Sequence, residues 1–256
     1  MSLIKVVKQL GDQKQYGLAF EKKPNTETVA RVLDTKSDEM VGFVNMDSKS
    51  EDKRLLLNSS WYDVEPIMPM GRENFGCIIS GGTGTGKSTL GAMFARQYIG
   101  LFPERPLFLI SQKDKNIDRN FKDIEQLVQL GPTEIKEFNI NDYKECLFII
   151  DDSDYGKNAK EVFELLNLIS TVGREYLISW IFITHINSRL NITNAYKEFS
   201  VYISYYDNLV NNRMLEQNMG FTKKEIDTFL KMKASYYVFN RVFNVLITDK
   251  AILKYK

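Results

Sequence analysis

The run Gly81-Gly-Thr-Gly-Thr-Gly86-Lys87-Ser88 constrains this chain more than any other feature. Its spacing is G-x-x-x-x-G-K-[ST]; it follows an apolar run at Phe75–Ser80 and opens a helical period from about Lys87 to Gly100. Glycines at these positions let successive backbone N–H groups turn inward without Cβ obstruction, and the helix adds the positive end of its dipole. The segment therefore predicts a cradle for the phosphates of a nucleoside triphosphate, built from Gly81, Gly82, Thr83, Gly84, Thr85, Gly86, Lys87, Ser88 and Thr89. Lys87 is expected to reach the β- and γ-phosphates, Ser88 to ligate Mg2+ through its hydroxyl, and Thr89 to touch the α-phosphate. A glycine-rich turn with a stray lysine is the alternative, and the flanking strand and helix speak against it.

Such a cradle needs an acidic residue at the end of another buried strand, because Mg2+ takes carboxylates through its water shell. Cys146-Leu-Phe-Ile-Ile150-Asp151-Asp152 supplies it: the apolar run predicts a strand buried on both faces, with both aspartates emerging at its C-terminal edge. Asp151 is expected to hold the magnesium-bound water and Asp152 to polarise the attacking water. Ser153 cannot act as a carboxylate base, so Asp154 is the alternative for that role; a pair of aspartates that merely cap a turn is the other.

Residues 1 to about 70 read as short strands and loops, and Pro66, Pro69 and Gly71 mark the passage to a second region, 71 to 256. Beyond the phosphate loop the pattern predicts a strand at Leu107–Ser111 and a helix across Ile117–Leu130 ended by Gly131-Pro132. Next come a strand at Cys146–Ile150, a helix at Ala159–Val172, and strands at Ile178–Thr184 and Ser200–Tyr206. Thr222-Lys-Lys-Glu225 has the form of a capping box opening a helix to Lys233, and Tyr236–Phe239 with Phe243–Thr248 suggests a hairpin around Asn240-Arg241. Strand alternating with helix predicts an α/β fold with a mostly parallel central sheet flanked by helices, a small β-rich N-terminal region and a C-terminal helix plus hairpin.

Composition removes several functions. Thirty-four Lys plus Arg against thirty-three Asp plus Glu leave a formal charge of +1, which excludes binding nucleic acid by bulk charge. Cys77 and Cys146 lie far apart in apolar runs, without the Cys/His spacing of a zinc knuckle, which suggests a reducing compartment. No stretch approaches the ~20 apolar residues of a membrane span, so the expectation is a soluble, intracellular protein. Lys113, Lys115, Arg119 and Lys122 interleave with Asp114, Asp118 and Asp123, as on a solvated helix face. The last 46 residues hold nine Lys plus Arg against four acids, a surplus open to DNA or to a neighbouring subunit.

Past the double aspartate lies Ser170-Thr-Val-Gly173-Arg174-Glu-Tyr-Leu-Ile-Ser-Trp-Ile-Phe-Ile-Thr184-His185. A Gly-Arg pair ending a helix, then an apolar strand with a polar tip, is similar to the FtsK/HerA superfamily of P-loop NTPases. Within it the chain resembles the genome-packaging ATPases of poxvirus-type double-stranded DNA viruses and of virophages. The family pattern commonly has Gly-Arg-His and a strand-tip Gln, where this chain has Gly173-Arg174-Glu175 and Thr184-His185. The resemblance covers roughly residues 70 to 206. It implies the additional-strand (RecA-like) class, in which the strand at Ile178–Thr184 inserts between the phosphate-loop strand and the aspartate strand. It also implies that Arg174 is an arginine finger completing a neighbour's site, and that His185 is a sensor of the γ-phosphate or attacking water. Arg213 is the alternative finger.

The resemblance further implies an ATP- and Mg2+-dependent homo-oligomeric ring, a pentamer or hexamer, that translocates double-stranded DNA into a capsid and docks on capsid or portal-vertex proteins. A viral chain of this kind would work in the host cytoplasm or virus factory, with the virion also open. A nucleotide-dependent switch or assembly factor, and a non-viral translocase of the same superfamily, remain alternatives. The lid or base-reading motifs of small-molecule kinases and GTPases are not found, and those classes stay open as an alternative by fold-level analogy alone.

Overall fold

Runs such as Leu147-Phe-Ile-Ile150 have no polar face to offer water, so they settle in the middle of a sheet covered on both sides. A computed structural model of the chain describes residues 3–8, 15–20, 28–34, 40–45, 54–55, 62–65, 74–111, 118–153, 158–185, 193–205, 212–241, 245–248 and 252–254. The chain divides into two units, Met1–Arg72 together with Met232–Lys256, and Glu73–Lys231.

The first unit begins with strands β1 (Leu3–Lys8), β2 (Gln15–Phe20), β3 (Thr28–Asp34), β4 (Met40–Asn45), β5 (Arg54–Leu55) and β6 (Tyr62–Glu65). Five of them form an antiparallel sheet in the order β4-β3-β2-β1-β6, with Val6 opposite Tyr16 on one side and Val64 on the other.

The second unit contains β7 (Gly76–Ser80), α1 (Lys87–Leu101), β8 (Leu107–Ser111), β9 (Leu127–Leu130), α2 (Pro132–Lys136), β10 (Leu147–Asp151) and α3 (Ala159–Val172). It continues through β11 (Ser179–Thr184), α4 (Thr193–Glu198), β12 (Val201–Tyr205), α5 (Asn212–Met219) and α6 (Lys223–Lys231). Its strands run parallel in the order β12-β7-β11-β10-β8-β9. Ile181 of β11 stands opposite Cys77 of β7 and Ile149 of β10, so the later strand does separate the two motif strands. This is the additional-strand P-loop NTPase fold. Every residue of β7, β10 and β11 is buried, and each fully buried Ile or Phe there contributes ~1.5–3 kcal/mol.

Two glycines set the packing distances. At Gly91 of α1 a Cβ would fall 2.5 Å from Ile183 Cδ1, so the helix presses directly onto β11. At Gly76 a Cβ would fall 2.3 Å from the Trp180 ring, which lies over the bare backbone of β7.

The helix expected across Ile117–Leu130 does not form. Residues 118–126 are turns and Leu127–Leu130 is the edge strand β9, so two strands, not one, separate the motif strands in sequence. The Asp118 carboxylate accepts from the Asn120 backbone N–H at 3.0 Å and from its side-chain amide at 2.7 Å, a local closure that competes with helix. Arg96 of α1 then grips the turn through Asn120 O at 2.8 Å and Asp123 Oδ1 at 2.6 Å. The guanidinium holds the Asp123 carboxyl below its ordinary pKa. Gly131-Pro132 opens α2 instead of ending a helix, with proline in the first turn and Glu134 Oε2 accepting from Gly131 N at 3.1 Å.

The capping box at Thr222 is present: Glu225 Oε2 accepts from Thr222 N at 2.8 Å and Thr222 Oγ1 accepts from Glu225 N at 3.3 Å. β13 (Tyr236–Asn240) and β14 (Val245–Thr248) form the hairpin, Asn240 pairing with Val245. β15 (Ile252–Lys254) pairs antiparallel with β14 and with β5. Among the described residues no helix is long and apolar enough to cross a membrane.

Candidate active site

Between β7 and α1 the backbone turns through Gly84 at φ +78° and Gly86 at φ +90°, values that carry no steric cost only without a Cβ. A Cβ on Gly81 would fall 2.7 Å from Thr85 Oγ1 and 3.0 Å from the Tyr205 ring, so this glycine lets the loop close against β12. Thr85 Oγ1 donates to Gly82 O at 2.9 Å, and α1 begins with Leu90 N donating to Gly86 O at 2.9 Å. No side chain caps α1 and no acid sits in its first turn, leaving the positive helix end to an outside anion. Burial raises the pKa of the adjacent Tyr205 phenol.

Parallel strands deliver their C-terminal ends to the same edge as this loop. Gly81 N donates to Thr184 O at 3.3 Å and Asp152 N to Ile183 O at 3.3 Å, lacing the ends of β7, β10 and β11 together. Ser88 Oγ donates to Asp151 Oδ1 at 3.2 Å, and that carboxylate is buried. Lys87, also buried, donates from Nζ to Gly82 O at 2.8 Å and reaches His185 Nδ1 at 3.3 Å. The other ring nitrogen, His185 Nε2, lies 2.7 Å from Asp152 Oδ1.

These contacts assign the histidine tautomer. A lysine ammonium only donates, so Nδ1 must accept and the ring proton sits on Nε2, facing the carboxylate. Asp152 stands at φ +50°, a left-handed conformation that aspartate tolerates better than most residues, and this turns its carboxylate toward the ring. Apart from that contact, the buried Asp152 Oδ1 has no hydrogen-bond partner among the described residues.

The Ser88 hydroxyl and Asp151 carboxylate are hard oxygen donors on adjacent elements, one bonded to the other. That donor set fits Mg2+, which takes one or two protein ligands and fills the rest of its octahedron with phosphates and water. Among the described residues no group of three or more His, Cys, Asp or Glu gathers as a closed metal cage.

Other sequence candidates lie elsewhere. Thr83 is exposed at the loop tip, and Thr89 donates to Asn120 Oδ1 at 3.2 Å, tying α1 to the turn after β8. Ser153 turns inward, donating to Ile110 O at 3.3 Å and Asp151 O at 3.1 Å. Asp154, Lys113, Lys115 and the side chain of Arg213 lie outside the described residues. Arg174 is exposed in a 3-10 turn, Gly173–Tyr176, that joins α3 to the start of β11. It therefore sits at the N-terminal end of that strand, ~20 Å of extended chain from His185 at the other end. Within one chain it is not part of the site.

Sequence reading missed Tyr205 beside Gly81, and Tyr202, whose hydroxyl lies 3.0 Å from Ser80 Oγ at the end of β7. It also missed the direct approach of His185 to Asp152 and Lys87. The only available signal was that all three stand at predicted strand ends or in the loop.

No family model matches the chain. Uncharacterized protein V3 of Sputnik virophage is 27% identical over 246 residues, 87% of this chain and 93% of that protein. The genome packaging NTPase B204 of Sulfolobus turreted icosahedral virus 2, solved with ATP-gammaS, is 15% identical at TM-score 0.48, covering 71% of this chain and 100% of that one. The cytoplasmic domain of the Type VII secretion ATPase EccC of Thermomonospora curvata is 14% identical at TM-score 0.48, covering 92% of this chain and 29% of that one.

Proposed function

We propose that this chain is a Mg2+-dependent P-loop ATPase that works as a homo-oligomeric ring on double-stranded DNA, packaging a viral genome into a capsid. One observation carries the ATPase reading: a buried lysine, a serine hydroxyl bonded to a buried aspartate, and a second aspartate meet a glycine loop at one sheet edge. The loop N–H groups and the start of α1 bind the phosphates, and Lys87 turns from Gly82 O to the β- and γ-phosphate oxygens. Ser88 and Asp151 hold Mg2+, which when bound neutralises charge on those oxygens. Asp152 orients the attacking water and takes its proton as the water oxygen bonds to the γ-phosphorus and the bridging oxygen leaves with ADP.

The motor reading is supported by the Gly173-Arg174 element and the polar tip of β11, and the viral setting by the similarity to a virophage protein. Arg174, remote from its own site, would serve a neighbour's as an arginine finger, with Arg213 the alternative. A ring of five or six copies would surround the duplex, and capsid or portal-vertex proteins would receive it. The test is phosphate release with and without long duplex DNA, together with electron microscopy of the protein with duplex and a non-hydrolysable ATP analogue. Stimulated turnover and DNA-filled rings are expected. Turnover indifferent to DNA would instead assign a nucleotide-dependent switch or assembly factor.

A further inference from the structure

We infer that His185 is a resting-state latch: it holds Lys87 and occupies Asp152 until a phosphate draws the lysine away. The inference rests on the ATPase reading above and adds a regulated step to it. The ring bridges two groups with different tasks, one that grips phosphate and one that faces water, and both contacts use its two nitrogens at 3.3 Å and 2.7 Å. With the proton on Nε2, Asp152 Oδ1 is covered by the imidazole and has no second hydrogen-bond partner in the described structure. Water therefore meets this oxygen only after the ring moves.

Lys87 supplies the trigger. Two of its contacts, a carbonyl and an imidazole, are with neutral acceptors, whereas a phosphate oxygen carries a full negative charge and adds a coulombic attraction that neither of these offers. Phosphate in the loop thus wins the lysine, and Nδ1 loses the donor that fixed the ring. The imidazole is then free to leave Asp152, so Oδ1, the covered oxygen of that carboxylate, is exposed when Lys87 is engaged. The cost falls on binding: nucleotide affinity is reduced because the competent arrangement must first be released from the latch.

A residue that merely touches the γ-phosphate makes the opposite prediction, so the sign of one affinity change decides between them. His185→Ala should bind a non-hydrolysable Mg·ATP analogue about three- to tenfold more tightly than wild type by calorimetry, the range expected for releasing one hydrogen bond of ordinary net strength. His185→Gln, which keeps one acceptor and one donor, should stay near wild type. Since this is the only histidine in the chain, 15N-histidine labelling of the full-length wild type gives one unambiguous ring spectrum. The nucleotide-free spectrum should show the Nε2–H tautomer, and Lys87→Ala and the Mg·ATP analogue should displace the Nδ1 resonance in the same direction.

Weaker or unchanged binding by His185→Ala while wild type binds normally would overturn the latch alone, as would an Nδ1 resonance indifferent to Lys87→Ala. A wild-type chain that binds no Mg·ATP analogue would overturn the ATPase reading and the latch with it. The wild-type spectra decide the contact even if an alanine variant fails to fold.

Discussion

Lys87 and Asp152 lie within one ring's width of each other, yet their removal should have different consequences. Lys87→Ala deletes the only lysine of the cradle, so phosphate release should fall to background while the thermal melt remains cooperative. Asp152→Asn keeps shape and removes the proposed base; nucleotide should bind within about threefold of wild type by calorimetry while turnover falls ~10²–10⁴-fold. Near-normal turnover in that variant would move the water-activating role to Asp154. Gly81 to Ser88 could be read from sequence because their chemistry is local: two positive-φ glycines and a helix start are encoded within eight residues. His185 could be placed at a strand tip but not against Asp152 and Lys87. That contact exists only because β11 lies between β7 and β10, and a spacing along the chain does not contain a spacing across a sheet.

The strands that build the site were legible for a related reason. β7, β10 and β11 are apolar in their interiors and buried throughout, so pattern and environment agree. The segment 118–130 was not, because Asp118 and Asn120 close a turn with their side chains and Arg96 holds it from another element, which no helical period reveals. Two predictions belong to these elements. Gly76→Ala places a methyl into the Trp180 ring, an overpacking that should cost about 1–3 kcal/mol and lower the melting temperature by ~2–4 °C per kcal/mol. Trp180→Phe in the same background should return part of the loss in a thermal melt. Cys77 and Cys146 are free and fully buried on β7 and at the entry to β10. Burial raises both thiol pKa values, that of Cys146 to about 12, so neither should react with an aromatic disulfide reagent in the native protein and both should react on unfolding.

The +1 formal charge gains meaning at the scale of an assembly. One copy with so little excess charge cannot hold DNA by bulk attraction, but the proposed ring would repeat the same few basic residues around a single pore, where they would act on one duplex. Arg174 makes the same point for catalysis, since the turn that carries it enters β11 at the end away from Lys87 and Asp151. If it acts at all, it acts on another copy. Rings of Arg174→Ala alone lack every finger and rings of Lys87→Ala alone lack every cradle lysine, so both should be inactive. In an equal mixture, about a quarter of interfaces place an intact Lys87 site against a neighbour that still carries Arg174. Phosphate release should therefore recover toward a quarter of the wild-type rate, provided subunits exchange before assay. No recovery, in rings shown by mass spectrometry to be mixed, would remove Arg174 from the site and leave Arg213 to be tested in the same way.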